Sequence, residues 1–221
     1  MTVAKFNKRL ESLRKDRAPF MDMWGELADY HLHHRGRFLT KDQKGHKRNT
    51  KVYNNTSRMA SRTLASGMMS GITSPARPWF RLGTSDPELS EAPGVRQWLF
   101  EVQQDIYNVF NHSNIYNQLH MLYAELGVFG TGCMGIFPDF DNVIHAQNFT
   151  VGSYSLSMNA QNEVDTFYRE FSYNVDQTVR EFGLENCCQA TRRNWENGNT
   201  EAMVDIVHVV EPNTDRDTCR C

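Results

Sequence analysis

The sequence predicts an α+β fold, in which N-terminal amphipathic helices are followed by long helices packed beside a small, mostly antiparallel sheet. Apolar residues recur three and four positions apart through much of residues 3–30, 56–72 and 95–126, as in amphipathic helices. Residues 133–210 hold short apolar segments between turn residues, which favours strands with short, antiparallel connections. The 221 residues, 39% of them hydrophobic, can bury one sizeable core or two small ones. We divide the chain into a helical region with a basic loop, 1–75, and an α+β region, 76–221.

Two helices are predicted at the N-terminus. The first has an apolar stripe formed by Val3, Phe6, Leu10 and Leu13. Pro19 is placed at the start of the second, because proline is tolerated in the first turn of a helix. The stripe of this second helix comprises Phe20, Met23, Trp24, Leu27 and Tyr30. Residues 31–51 lose the helical period and are predicted to form a loop, whose histidines His31, His33 and His34 lack the further ligands of a metal site.

The first part of the chain is basic and the rest is acidic. Residues 1–62 hold fifteen Lys and Arg against six Asp and Glu, and the remaining residues hold nine against twenty. The basic side chains of the loop are Arg35, Arg37, Lys41, Lys44, Lys47, Arg48 and Lys51. They are predicted to contact an acidic protein partner or DNA phosphates, and a solvated charged surface is the simpler alternative.

The chain is organised around residues 64–82. A helix that begins near Thr56 carries small residues between apolar ones, which lets a neighbouring helix approach closely. Two prolines end this helix, and an extended segment with a large aromatic anchor follows them. The candidate structural and interaction residues are Pro75, Arg77, Pro78, Trp79, Phe80 and Arg81, together with Trp24 and Trp98.

Further helices are predicted along the rest of the chain. One begins beyond Pro93, and its apolar stripe contains Trp98. Ser113 is predicted to cap the next helix, which continues to about residue 126. Asn174 and Gln177 have the spacing of a capping box for a helix that ends near residue 182, and a more polar helix is predicted over 185–195.

Strands are predicted at residues 133–137, 143–149, 154–158, 163–171 and 203–210, with a turn at Asp139 and Asp141 between the first two. The glycines Gly130, Gly132 and Gly135 match the spacing of the dinucleotide-binding fingerprint. That fingerprint requires a strand before the glycines and a helix after them. Here the order is reversed, so the glycines predict a helix-to-strand turn and no nucleotide site.

The sequence contains no set of residues arranged for catalysis, such as a Ser/His/Asp triad, paired acids or a phosphate loop. Its five cysteines are spaced poorly for disulfides or a zinc site. No apolar run approaches the roughly 18 to 20 residues that span a bilayer, and no signal peptide opens the chain. We therefore expect a soluble, cytoplasmic protein that is not an enzyme and needs no cofactor, metal or membrane.

The run Ala-Ser-Gly-Met-Met-Ser-Gly-Ile-Thr-Ser-Pro-Ala-Arg-Pro-Trp-Phe at residues 65–80 resembles the head-to-tail connecting, or portal, proteins of short-tailed bacteriophages. The likeness extends upstream to Arg17-Ala18-Pro19, and downstream through Ser113-Asn114-Ile115-Tyr116 to Val209-Val210-Glu211-Pro212. It implies a structural subunit of an oligomeric ring at one vertex of the capsid, through which viral DNA is packaged and later ejected. A stand-alone basic module, for nucleic-acid binding or assembly and derived from a degenerate prophage, is the alternative.

The resemblance also implies partners and a place in the virion. The implied partners are identical subunits, capsid and scaffolding proteins, genomic double-stranded DNA, and the terminase and tail adaptor. The chain is similar to the N-terminal portion of a portal protein, and residues 76–221 correspond to its wing-like region. It would then stop before the stem and the clip, through which the terminase and tail adaptor bind. Assembly is implied in the cytoplasm of a bacterial host.

Overall fold

The computed structural model describes residues 3–33 and 54–212. Its helices are α1 (Val3–Tyr30), α2 (Thr56–Ile72), α3 (Pro87–Glu91), α4 (Pro93–His112), α5 (Ile115–Phe129), α6 (Val175–Phe182) and α7 (Gln189–Glu196), with a 3₁₀ turn at Leu184–Asn186. Its strands are β1 (Cys133–Asp139), β2 (Val143–Phe149), β3 (Tyr154–Met158), β4 (Val164–Asn174) and β5 (Met203–Val210). The strands pair antiparallel in two sheets, β1-β2 and β3-β4-β5. The α+β class is therefore confirmed, with β3-β4-β5 as the small antiparallel sheet and β1-β2 as a separate hairpin.

The first helix corrects one prediction. Residues 3–30 form one helix of 28 residues with Pro19 inside it, so the expected break at this proline is wrong. Proline removes one hydrogen bond from a helix interior, but its φ suits the helix and its cost is local. Apolar residues are buried on both sides of Pro19, Leu10 and Leu13 before it and Ala28 after it, whereas Phe20, Met23 and Tyr30 of the predicted second stripe are about half exposed.

Contacts divide the chain into two compact units, one made of Met1–Phe20 and Gly152–Cys221 and the other of Met21–Val151. In the first unit, the front of α1 packs on the sheet β3-β4-β5. Leu10 and Leu13 bury against Tyr168 of the central strand β4, with Phe6 and Val209 at the edges of the cluster. The division at residue 75 inferred from the sequence stays a prediction.

Three arginines of α1 also bind this sheet. Arg9 donates to Thr166 Oγ1 at 3.2 Å, and Arg17 donates to the carbonyl oxygen of Tyr154 at 2.9 Å. Arg14 forms a bidentate pair with Glu170, which also accepts from Arg17 at 3.3 Å. Burial of Glu170 opposes its ionisation, but the two guanidinium groups outweigh this and lower the pKa of Glu170.

In the second unit, the start of α5 covers the free edge of β2. The Asn114 side chain donates to the carbonyl oxygen of Ala146 and accepts from its amide, both at 2.8 Å. The amide of Asn148 donates to Gln118 Oε1 at 3.0 Å. Asn114 is the N-cap residue of α5, one position after the predicted cap at Ser113, and its side chain binds the strand instead of the helix.

The turn between β1 and β2 is built as the sequence predicts. Asp139 accepts from the amide of Asp141 at 3.1 Å and from Asn142 Nδ2 at 3.2 Å. These hydrogen bonds hold the pKa of Asp139 below its ordinary value. Turn chemistry therefore accounts for the two aspartates.

Candidate interaction site

Residues 79–82 form neither helix nor strand and run beside α4, where one tyrosine hydroxyl binds three of their backbone groups. Tyr107 Oη accepts from the amides of Trp79 and Phe80 at 2.9 and 3.0 Å and donates to the carbonyl oxygen of Phe80 at 2.9 Å. One helical turn earlier, Gln103 Oε1 accepts from the amide of Leu82 at 3.2 Å. Side chains of a helix thus satisfy backbone groups that a neighbouring strand would satisfy in a sheet.

The rings of this segment form an aromatic cluster with α4 and α5. Trp79 stacks on Phe110 with 6.0 Å between centroids and meets Phe80 edge-on at 4.8 Å. Phe80 lies 4.5 Å from Tyr107, and Trp79 Nε1 donates to Tyr116 Oη at 3.3 Å. Trp79 and Phe80 are half-buried. Trp79 and Phe80 therefore pack within this cluster and leave part of their apolar surface in solvent, and their role as an anchor stays a prediction.

The end of α2 is fixed by two polar contacts. Arg77 turns back and donates to the carbonyl oxygen of Ser70 at 2.9 Å, which satisfies a group left open at the helix C-terminus. The buried hydroxyls of Thr73 and Tyr123 lie 2.9 Å apart and tie this end to α5. Pro75, Pro78 and Arg81 are exposed. The first two follow the end of α2, at Ile72, as expected of residues that stop a helix.

Close packing of α2 uses other small residues than the glycines. Its buried residues are Ser61 and Ala65, and α5 presents Gly127 to Leu64 of α2. A Cβ at Gly127 would lie 2.7 Å from Leu64 Cδ2, so this contact requires glycine or a displacement of the leucine. Gly67 and Gly71 face open space. The predicted close approach is thus found, but the two glycines of α2 do not make it.

The two other candidate tryptophans lie on different helices. Trp24 is half-buried on α1, and Trp98 on α4 is 60% exposed. None of the residues of α4, all of which the structure describes, is buried. The candidate basic residues Arg35, Arg37, Lys41, Lys44, Lys47, Arg48 and Lys51 lie outside the described residues, as does His34.

Sequence reasoning missed the polar side chains that hold the site together. Tyr107 and Gln103 lie four residues apart on α4, beside its apolar stripe, and this spacing is the one signal that could have marked them. Tyr116 and Tyr123 fall at apolar-stripe positions of α5, so the pattern gives no sign of their hydrogen bonds. Glu125, also on α5, is fully buried and accepts from Thr150 Oγ1 at 3.1 Å.

The glycine run takes the conformation that its context predicts. Gly130 has φ of +74° and is the C-cap residue of α5, and β1 begins three residues later.

Within residues 3–33 and 54–212, no three His, Cys, Asp or Glu side chains are grouped to hold a metal ion. Over the same residues, no helix has the length and apolar character needed to cross a bilayer.

The comparison with known proteins gives the family. A family model described as bacteriophage head to tail connecting protein matches residues 3–221. The chain belongs to this family. The chain is 45% identical over 212 residues, or 96% of its length, to the portal protein of Salmonella phage epsilon15. It is 44% identical over 210 residues, or 95% of the chain, to the probable portal protein of Bordetella phage BPP-1. The chain spans 38% of the length of each of these relatives.

Proposed function

We propose that this protein is a structural subunit of the phage portal, a ring at one capsid vertex through which double-stranded DNA is packaged and ejected. The family match over residues 3–221 carries the proposal. The identity of 45% to a named portal protein over 96% of the chain supports it. The proposed location is the portal vertex of the virion, with assembly in the cytoplasm of the bacterial host.

We infer a structural, non-enzymatic role. Several polar side chains of the second unit bind backbone groups of the same chain. Tyr107 and Gln103 accept from amides of residues 79–82, and Arg77 donates to a carbonyl oxygen at the end of α2. Trp98 remains exposed on a helix that has no buried residue. Side chains fixed on the inside with apolar surface left outside are typical of a subunit that docks on neighbours.

The partners follow from the same proposal. Further copies of the chain would form the ring, with capsid and scaffolding proteins around it and genomic DNA in its channel. The terminase and tail adaptor would bind parts of the portal that lie beyond the 38% of the relatives matched by this chain. No finding on the described residues favours the alternative of a separate nucleic-acid-binding module.

A chimeric portal tests this function. The matched region of the epsilon15 portal protein is replaced by residues 3–221 of this chain, and the chimera is supplied to a phage that lacks its portal gene. We expect rings of uniform mass and heads filled with DNA. A control carries the phage's own sequence between the same junctions. A chimera that folds but forms no ring and fills no heads would contradict the proposal.

A further inference from the structure

Helix α4 exposes an acidic, partly apolar surface, which we call the Trp98 face. Trp98, Glu101 and Asp105 are exposed and follow one another at i, i+3 and i+7, so they lie in one row on the helix. Trp98 keeps 60% of its surface in solvent. Just before α4, the short helix α3 adds exposed Glu88 and Glu91.

The Trp98 face has a complement in the same chain. Residues 86–105 hold five Asp and Glu and a single basic residue, Arg96, which gives a formal charge of −4. Residues 34–53 hold seven Lys and Arg and one acidic residue, Asp42, which gives +6. An exposed tryptophan beside carboxylates suits such a segment, because lysine and arginine lay their aliphatic stems and cationic groups on aromatic rings. Opposite charges of this size steer and orient association.

We propose that the Trp98 face binds the basic segment, residues 34–53, of a neighbouring copy of the chain. This inference rests on the proposed portal function, since a ring of identical subunits needs two different surfaces that meet between neighbours. The described residues on either side of the segment lie close together, because Ser57 near the start of α2 donates to the carbonyl oxygen of Tyr30, the last residue of α1.

The lengths of the two surfaces are compatible. The row from Trp98 to Asp105 extends over about 10 Å at about 1.5 Å per residue. The contour of residues 35–51 is at most about 60 Å, and because the chain returns to its starting point the tip reaches about half of this, about 30 Å, which is enough to contact the row on a neighbouring subunit.

Charge reversal tests the proposal by sedimentation of the full chain at about 50 mM salt. E101K/D105K reverses the face, and K44E/K47E/R48E reverses the segment. We expect each variant alone to associate at least tenfold more weakly than the unchanged chain, and an equimolar mixture of the two to regain association. The differences should vanish near 0.5 M salt, where the Debye length falls to about 4 Å.

Exposed acids on α6 and the following turn provide the matched control. E181K/E185K makes the same charge change on α6 and the turn after it, which belong to the other compact unit, and should leave association unchanged. Far-UV circular dichroism and urea midpoints confirm folding of each variant. Should E101K/D105K fail to fold, the isosteric E101Q/D105N replaces it and should weaken association about threefold or more.

Zero-length carbodiimide cross-linking in a mixture of ¹⁵N-labelled and unlabelled chains identifies the partner. We expect mixed-label cross-links from lysines of the segment to Glu101 or Asp105. A single chain that carries all five substitutions, E101K/D105K and K44E/K47E/R48E, separates an internal contact from one between copies. If only same-label cross-links form, or if this chain associates while the mixture does not, the contact is internal and the proposal is overturned.

Two further results would also overturn it. One is an unchanged chain that shows no self-association at about 200 μM in low salt. The other is a segment variant that loses binding to duplex DNA while self-association stays intact, which would assign the segment to DNA. If these results occurred while the chimeric portal still filled heads, this inference would fail and the proposed function would stand.

Discussion

Tyr107→Phe removes one hydroxyl and keeps the aromatic ring. It should therefore release residues 79–82 from α4 while the aromatic cluster keeps all of its rings. Tyr107 Oη makes three hydrogen bonds, at 2.9, 3.0 and 2.9 Å, and two of its partners are backbone amides. Each such bond contributes about 0.5 to 1.5 kcal/mol net. The segment is half-buried, so water can replace some of them. We therefore expect a loss of about 2 to 3 kcal/mol, which is about 1 M in urea midpoint for an m-value near 2 kcal/mol/M.

Hydrogen exchange separates a local release from general destabilisation. In Tyr107→Phe the amides of Trp79 and Phe80 should lose protection, while Leu82, bound to Gln103, should keep more of its own. Gln103→Ala should give the reverse pattern. Tyr173→Phe, which removes a hydroxyl on β4, is the matched control and should be nearly neutral. An unchanged urea midpoint together with unchanged protection at Trp79 and Phe80 would refute the reasoning.

Four further predictions follow from the same contacts. Trp79→Ala should lower the free energy of unfolding by about 2 to 3 kcal/mol. This is less than the roughly 3 to 5 kcal/mol expected for a fully buried tryptophan, because Trp79 is half-buried. An unaltered urea midpoint would contradict this prediction. Because the folded-state pKa of Glu170 is lowered, its contribution to stability is present above about pH 4.5 and is lost as pH falls through the folded pKa. Glu170→Gln should therefore flatten the pH dependence of the free energy of unfolding in this range, and an unchanged slope would contradict this. Light scattering of the 221-residue chain at micromolar concentration in moderate salt should show small, concentration-dependent oligomers. Exposed ion pairs contribute only about 0 to 1 kcal/mol each, and closure of a ring needs buried apolar area as well. A uniform particle of a dozen or so subunits would contradict this prediction. Calorimetry should detect no stoichiometric ATP binding. Tight binding that is lost on changing Gly130 or Gly132 would contradict the interpretation of these glycines as a helix-to-strand turn.

Elements whose signals are local could be predicted from the sequence. The capping box of Asn174 and Gln177 forms as expected, with amide contacts of 2.8 and 3.1 Å. Strand β5 has the predicted bounds, since its apolar run lies between polar turns. The glycines after α5 could be interpreted from the elements around them, because a phosphate site needs a helix N-terminus that this order does not supply.

Elements that depend on distant partners could not be predicted. Tyr107 lies 28 residues from the amide of Trp79, and nothing in an amphipathic pattern pairs a phenolic hydroxyl with a particular backbone group. The same is true of Arg17 and Tyr154, 137 residues apart. The continuation of α1 through Pro19 is of the same kind, since local propensity favours a break at proline and burial of Leu10, Leu13 and Ala28 depends on distant residues.

The way α4 is held links folding to assembly. On the side of residues 79–82, Tyr107 and Gln103 fix the helix through hydrogen bonds whose geometry is specific but whose net contribution is modest. On the opposite side, Trp98 remains exposed, and no residue of α4 gains the stabilisation of full burial. The helix therefore has a defined orientation but no fully buried residue of its own. A neighbour that covers the Trp98 face would add the missing burial to a surface already in place, so α4 should gain hydrogen-exchange protection when subunits associate.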